Sequence, residues 1–412
     1  MNFVVANARW LATGLLLSVG SSFGQTYFIS IFAGEIRDAY ALTDGQWGGI
    51  YTIATVSSAC LLILFGGRAD TVRLSRLAVI VASVFAAACG LMAVGSSVWT
   101  LLLSVFLLRF CGQGMMTHMK ATAMARWFVA TRGRAMAITN LGYPVGEACL
   151  PLITILFIAS VGWRATWGVA AGVILLVLIP LLMWLLAQDR APKGSNGGQG
   201  APGLFGKHWT RGEVLSYPLF YAFVPLLLTP GFIGTVIFFH AVHVAEVKGW
   251  TLTAMAASYA TYATASVTMG LVAGWAADRF GPARLVPIVL IPMGLGMFLI
   301  GPSETPLGWA VALALVGVTQ GMAAALGGTL LPTLFGTNHL GSVRSIATAI
   351  MVFATAIGPG ITGWFIDRGV TYPEQGAAQG LWCLALSAAL VPVMLWTVRL
   401  QTQKAPGDGR FS

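Results

Sequence analysis

Charge is what this sequence has least of. Asp, Glu, Lys and Arg together make up 9% of its 412 residues, against about 25% in an ordinary soluble domain. With 57% hydrophobic residues the chain cannot cover itself with a hydrated surface, so its solvent is lipid. Cysteines are few and unpaired: Cys60, Cys89, Cys111, Cys149 and Cys383 lie in apolar runs with no paired spacing. That argues against a disulfide framework or thiolate metal site and for small membrane-core residues. Chemistry-bearing motifs are missing too: there is no phosphate loop, His-Glu zinc signature or serine elbow. No enzyme, cofactor or metal site is therefore expected. His240 and His243 stand three residues apart near the outer end of an apolar run, close enough to protonate or gate; a plain interfacial pair is the other reading, and with no third ligand in sight a metal is not expected.

Apolar runs dominate what is there. A span of about 20 residues crosses the hydrocarbon, and twelve are predicted. Six lie near 10–32, 46–65, 77–95, 99–121, 134–160 and 165–187, and six near 216–243, 252–274, 284–301, 307–333, 344–366 and 377–399. Between the sixes, 188–214 is rich in Gly, Ser, Asn and Gln and reads as a flexible linker. The expected organisation is a first bundle over 1–187 and a second over 215–412. Only Arg9 precedes the first apolar run, without a cleavage site, so an uncleaved first span is expected.

Lysine and arginine set the orientation. With the N-terminus inside, seventeen fall in cytoplasmic segments, four in outer loops (Arg37, Arg164, Lys248, Arg368) and two within spans (Arg109, Lys120). The outer loops are instead acidic, with Glu35, Asp38, Asp44, Glu246, Glu304, Asp367 and Glu374. Both termini are therefore expected in the cytoplasm of an inner-membrane protein. The bias also accounts for the net charge of +10, so nucleic acid is not an expected partner.

The halves repeat each other. Gly66 and Asp70, followed by Arg76, recur 208 residues on as Gly274 and Asp278, followed by Arg279, Gly281 and Arg284. Gln113-Gly114-Met115 recurs as Gln320-Gly321-Met322 at an offset of 207. Two six-span bundles in one orientation form a parallel repeat about an axis normal to the membrane.

On these residues the chain resembles the major facilitator superfamily over essentially its whole length. The paired loops carry the resemblance, as does Leu108-Arg109-Phe110-Cys111-Gly112-Gln113-Gly114 in the fourth span. Trp127-Phe128 with Arg132-Gly133-Arg134-Ala135 and Gly358-Pro359-Gly360 with Asp367-Arg368-Gly369 are similar to the branch of monocarboxylate and oxalate–formate carriers. The first loop departs from the pattern, with Thr71 and Arg73 where the second has Arg279 and Gly281. The resemblance implies a central cavity lined by the first, fourth, seventh and tenth spans, making Gln25, Tyr27 and Gln320 candidate lining residues.

Two groups stand where charge is expensive. Arg109 lies near mid-membrane, where a charge costs at least about 2.5 kcal/mol and faces the bundle interior. The resemblance implies that it couples proton or substrate movement to conformational change; tying spans together through carbonyls is the alternative. On an ideal helix Gln113, Met116 and Lys120 share its face, a stripe that would attract an anion, although Lys120 is also placed to snorkel. Glu147 is the only carboxylate within a span and the candidate proton site, unless it pairs statically with Arg109. Asn140, seven residues earlier on nearly the same face, is a candidate substrate contact. Asp70 and Asp278 read as cytoplasmic gate latches with the neighbouring basic residues, or as plain helix-end salt bridges.

The expected function is proton-coupled transport of a small organic anion by alternating access, with the chain working as a monomer in membrane lipid. A proton-driven exporter of amphipathic or cationic compounds is the alternative. One feature cuts against a standard carboxylate carrier: the eighth span has no charge, and the first and eleventh have no internal lysine.

Overall fold

The computed structural model describes residues 2–65, 72–128, 131–188 and 201–402. Gly66 and Asp70 of the first loop, and most of the Gly/Ser-rich stretch, lie outside them. The described chain is helical, and its long helices follow the expected spans. Ten are long and apolar enough to cross a membrane, from Asp44–Phe65 to Tyr372–Thr402, and the bent pair Ala8–Gly24 and Thr26–Tyr40 makes an eleventh. The remaining span, the eighth, is Tyr259–Phe280 preceded by the short helix Leu252–Ala257. Thr261, Thr264, Ser266 and Thr268 make it the least apolar of the twelve. Large apolar side chains face outward, with Ile63, Trp99 and Leu176 79%, 79% and 78% exposed. That surface suits lipid and would be a liability in water.

The chain forms two compact units. The first gathers the first six spans with Ile237–Ala260 and Ala356–Gly369; the second comprises Gly197–Val236, Thr261–Thr355 and Val370–Ser412. Within the first unit, ends of the seventh and eleventh spans thus pack with the first six, at the acidic end expected to face outward. Glycine makes that packing close: a Cβ on Gly48 of the second span would strike the Pro359 carbonyl of the eleventh.

Two irregularities matter most. The first span breaks after Ser21–Gly24, where Gln25 is extended (φ −85°, ψ 155°), and turns by 42°. Serine and glycine at the break are weak helix formers, which favours this site. The fourth span, Val98–Trp127, starts at a capping box between Ser97 and Thr100. It then widens into a π-helix over Arg109–Met116, a rare form common at functional sites.

In the second unit, part of the predicted linker is ordered. Trp209, 7% exposed, packs 4.7 Å from the Tyr217 ring and 5.8 Å from that of Phe335, and its amide bonds the Phe335 carbonyl. Composition drew attention to the glycines; Leu204, Phe205 and Trp209 decide the structure of 201–214.

Candidate functional site

Arg109 sits where the two irregular helices meet. A Cβ on Gly112 would stand 2.7 Å from the Gly24 Cα, so the first and fourth spans touch backbone to backbone. The break at Gln25 leaves the Gly24 carbonyl without a helical partner, a terminus that attracts a cation. Arg109 Nη1 donates to that carbonyl at 3.1 Å and to Thr26 Oγ1 at 3.4 Å. Its guanidinium lies 5.1 Å from the Tyr51 ring centroid, and the Tyr51 hydroxyl is 2.6 Å from Thr26 Oγ1. Arg109 is only 1% exposed, yet its Nε and Nη2 have no hydrogen-bond partner among the described residues. Unsatisfied buried donors cost free energy, so this guanidinium is set to accept a further polar or anionic partner.

The other predicted residues divide. Lys120 does not snorkel: it is 2% exposed, with Nζ donating to Asn140 Oδ1 at 2.5 Å and Tyr143 Oη at 3.2 Å. The Tyr143 hydroxyl in turn donates to Thr117 at 3.0 Å. Asn140 thus positions Lys120 with its carbonyl while remaining exposed itself. Gln113 is half-buried and Met116 fully buried. Glu147 is half-buried and forms no ion pair with Arg109 or any other described residue. The preceding Gly146 packs on Ser22 Oγ and Tyr27 Oη, which brings the fifth span to the break in the first. Tyr27 is buried with its hydroxyl lacking a hydrogen-bond partner among the described residues, while Gln25 Nε2 lies 3.4 Å from Ser21 Oγ. Gln25 is the break itself and Tyr27 lies in the helix Thr26–Ile29 that follows, so ideal helical phase does not relate the two.

In the second unit Gln320 Nε2 donates to the Pro230 carbonyl at 2.8 Å, tying the tenth span to the seventh. Gln320 also lines a cavity of 330 Å³ whose walls include Phe220, Phe223, Phe335, Thr348 and Arg344. The second loop ends its helix on Gly281, whose φ of +83° favours glycine. Asp278 is exposed with no ion-pair partner among the described residues, Arg284 bonds the Phe280 carbonyl at 3.0 Å, and Arg279 lies beside Trp275. A Cβ on Gly274 would meet nothing within 4 Å outside its own helix, and Arg76 is exposed.

At the acidic end of the first unit the histidine pair meets charged partners that sequence reasoning did not place beside it. Arg37 pairs with Asp44 at 2.7 Å and with Glu246 at 2.5 Å. His243 Nδ1 stands 3.5 Å from the same Asp44 oxygen, and His240 Nε2 is 2.8 Å from Thr362 Oγ1. Asp367 accepts from Thr43 Oγ1 at 2.7 Å and from the Gly45 amide at 3.1 Å. The signal in the sequence was Arg37, a rare base among acidic loops.

The comparisons agree with the fold. The chain matches the Major Facilitator Superfamily over residues 14–359 and 237–411, and it belongs to that family. It is a multi-pass membrane transporter rather than an enzyme. It is 29% identical over 146 residues to a probable sulfoacetate transporter, SauU, of Cupriavidus necator, a match spanning 35% of this chain and about a third (34%) of that relative. Among solved structures, a bacterial homologue of the lysosomal transporter Spinster, inward-facing and unoccupied, superposes with a TM-score of 0.69 at 17% identity. That alignment covers 96% of this chain and 95% of that one. The nucleoside transporter NupG gives a TM-score of 0.65 at 12% identity, over 96% and 100%.

Proposed function

We propose that this chain is a secondary active transporter of a small organic anion, of the monocarboxylate and oxalate–formate type, driven by protons through alternating access. It works as a monomer in the cytoplasmic membrane with both termini inside. Its two bundles, 1–187 and 215–412, move about the linker 188–214. Gly66, Asp70 and Arg76 act with Gly274, Asp278, Arg279, Gly281 and Arg284 as parts of a cytoplasmic gate. The observation that carries the reading is Arg109, a buried cation with two unpartnered nitrogens. Lys120 adds a second buried cation on the same span, and the partial match to a probable sulfoacetate transporter supports an anionic substrate. Glu147, buried in part and unpaired, is the proton site.

The test is uptake of labelled sulfoacetate and small monocarboxylates into proteoliposomes under an inward proton gradient. Acid-stimulated uptake that falls at least about tenfold in Arg109→Ala is the expected result, since hydrogen bonds to a charged group contribute about 1.5–3 kcal/mol. The apolar cavity of the second unit favours the other reading, an exporter of amphipathic compounds. Dye efflux lost in Glu147→Gln, with no anion uptake in the unmodified chain, would establish that reading instead.

A further inference from the structure

We propose that His243 is a proton-binding site of the transport cycle, and that with Arg37, Asp44 and Glu246 it forms a latch that shuts the acidic end of the first unit most firmly when the imidazole is charged. The cluster joins parts of the chain that a transporter of this family must separate and rejoin. Arg37 and Asp44 come from the end of the first span and the start of the second; His243 and Glu246 come from Ala241–Lys248, just past the seventh. Side chains of Arg37, Asp44 and His243 are 14%, 15% and 10% exposed, so their interactions are screened far less than surface pairs, whereas Glu246 is 48% exposed.

Arg37 bonds both the Asp44 and the Glu246 carboxylates. A proton taken by the imidazole from the adjoining water adds a cation 3.5 Å from the same Asp44 oxygen. A carboxylate 3.5 Å from Nδ1 would repel an imidazole lone pair, so the closed arrangement places a hydrogen on Nδ1. Nε2 is buried without a hydrogen-bond partner among the described residues. The remaining charged and titratable groups nearby are Glu35 and Asp38 on the helix of Arg37, Lys248 on the helix of His243, His240 beside Thr362, and Asp367 held by Thr43 and Gly45. Histidine is the side chain whose ordinary charge change falls between about pH 5 and 8. Acid should therefore favour the closed latch and alkali its opening.

The experiment needs no substrate. Spin labels at Ala39→Cys and Val247→Cys, both exposed, report the separation across the latch in nanodiscs once Cys60→Ala and Cys149→Ala remove the exposed thiols. The short-distance population should dominate near about pH 5.5 and fall several-fold by about pH 8. His243→Gln keeps an N–H donor but gains no charge, and should abolish the pH response. His243→Arg should stay short at every pH, and His240→Gln should keep the response. Glu246→Gln, at an exposed position that does not threaten folding, should lower the short-distance population at acid pH because one anion of the latch is gone. A distribution unchanged by pH in the unmodified chain, or a His243→Gln protein that responds normally, would overturn the proposal. A merely structural histidine would change stability without moving the midpoint.

Discussion

At the scale of single residues, Arg109 shows what a sequence can and cannot reveal. Its importance is legible because a mid-membrane charge is costly. Its partners are not: the Gly24 carbonyl becomes available only because the first span breaks, and no composition argument forecasts which amide loses its helical bond. The same limit hid the pairing of His243, whose partner Asp44 arrives from the far half of the chain. Arginine and lysine should also differ here. Nη1 holds Gly24 and Thr26 while Nε and Nη2 remain open, and lysine, a point charge without the planar fork, cannot do both. Arg109→Lys is expected to fold with a near-normal thermal midpoint yet lose at least about tenfold in uptake at subsaturating substrate, the cost of one charge-assisted hydrogen bond. Normal uptake by the lysine variant would mean that charge alone suffices.

At the scale of elements, the fourth span departs from the ideal helix at one identifiable place. Counting 100° per residue puts Gln113, Met116 and Lys120 on the face of Arg109. The π segment over Arg109–Met116 has a wider turn, so that count does not carry across it, and Lys120 bonds Asn140 and Tyr143 on the fifth span. Nothing in Arg109-Phe110-Cys111-Gly112-Gln113-Gly114 announces a wide turn, whereas the glycines do announce close packing. That packing is testable. A methyl on Gly112 would stand 2.7 Å from Gly24 Cα, 3.0 Å from Gly24 N and 2.8 Å from Phe85 Cζ, and the first two are backbone atoms that cannot swing aside. Gly112→Ala should destabilise by about 1–3 kcal/mol, seen as a lower thermal midpoint in detergent, and should impair transport by parting Arg109 from Gly24. The ordered linker carries its own clasp: the Lys207 side chain, 2.6 Å from Glu213, and bonds from Thr210 hold the Glu213 carboxyl down at about 2. Because that value is depressed, the clasp persists above the ordinary carboxylate range and is released only as pH falls toward 2.

At the scale of the whole molecule, sequence reasoning is at its strongest. Twelve spans, two repeated halves and the family followed from hydropathy, an offset of about half the chain and a few loop residues, because insertion into lipid constrains composition along the entire length. The gate loops are less settled by pattern alone. Asp278 stands exposed beside a glycine-capped helix end with no ion-pair partner among the described residues, while its counterpart Asp70 is followed in the sequence by Thr71 and Arg73 where the second loop has Arg279 and Gly281. Asp278→Asn and Asp70→Asn should therefore slow turnover to different degrees and leave substrate affinity nearly intact, as counterflow with a concentration series would measure. A large loss of affinity from either would place it at the substrate instead.

The meeting of the broken first span with the widened fourth has a chemical consequence for selectivity. Arg109 already holds a helix terminus through Nη1, so on the proposed reading an incoming anion meets two open nitrogens and one that is already engaged. A neutral molecule has little with which to displace the Gly24 carbonyl, whereas an anion can take the two open nitrogens and then compete for the third. Once the carbonyl is released, the break is free to bend or straighten. On the proposed reading, occupancy and helix geometry become two readings of one equilibrium, and a ligand that binds without displacing the carbonyl would be held but not carried.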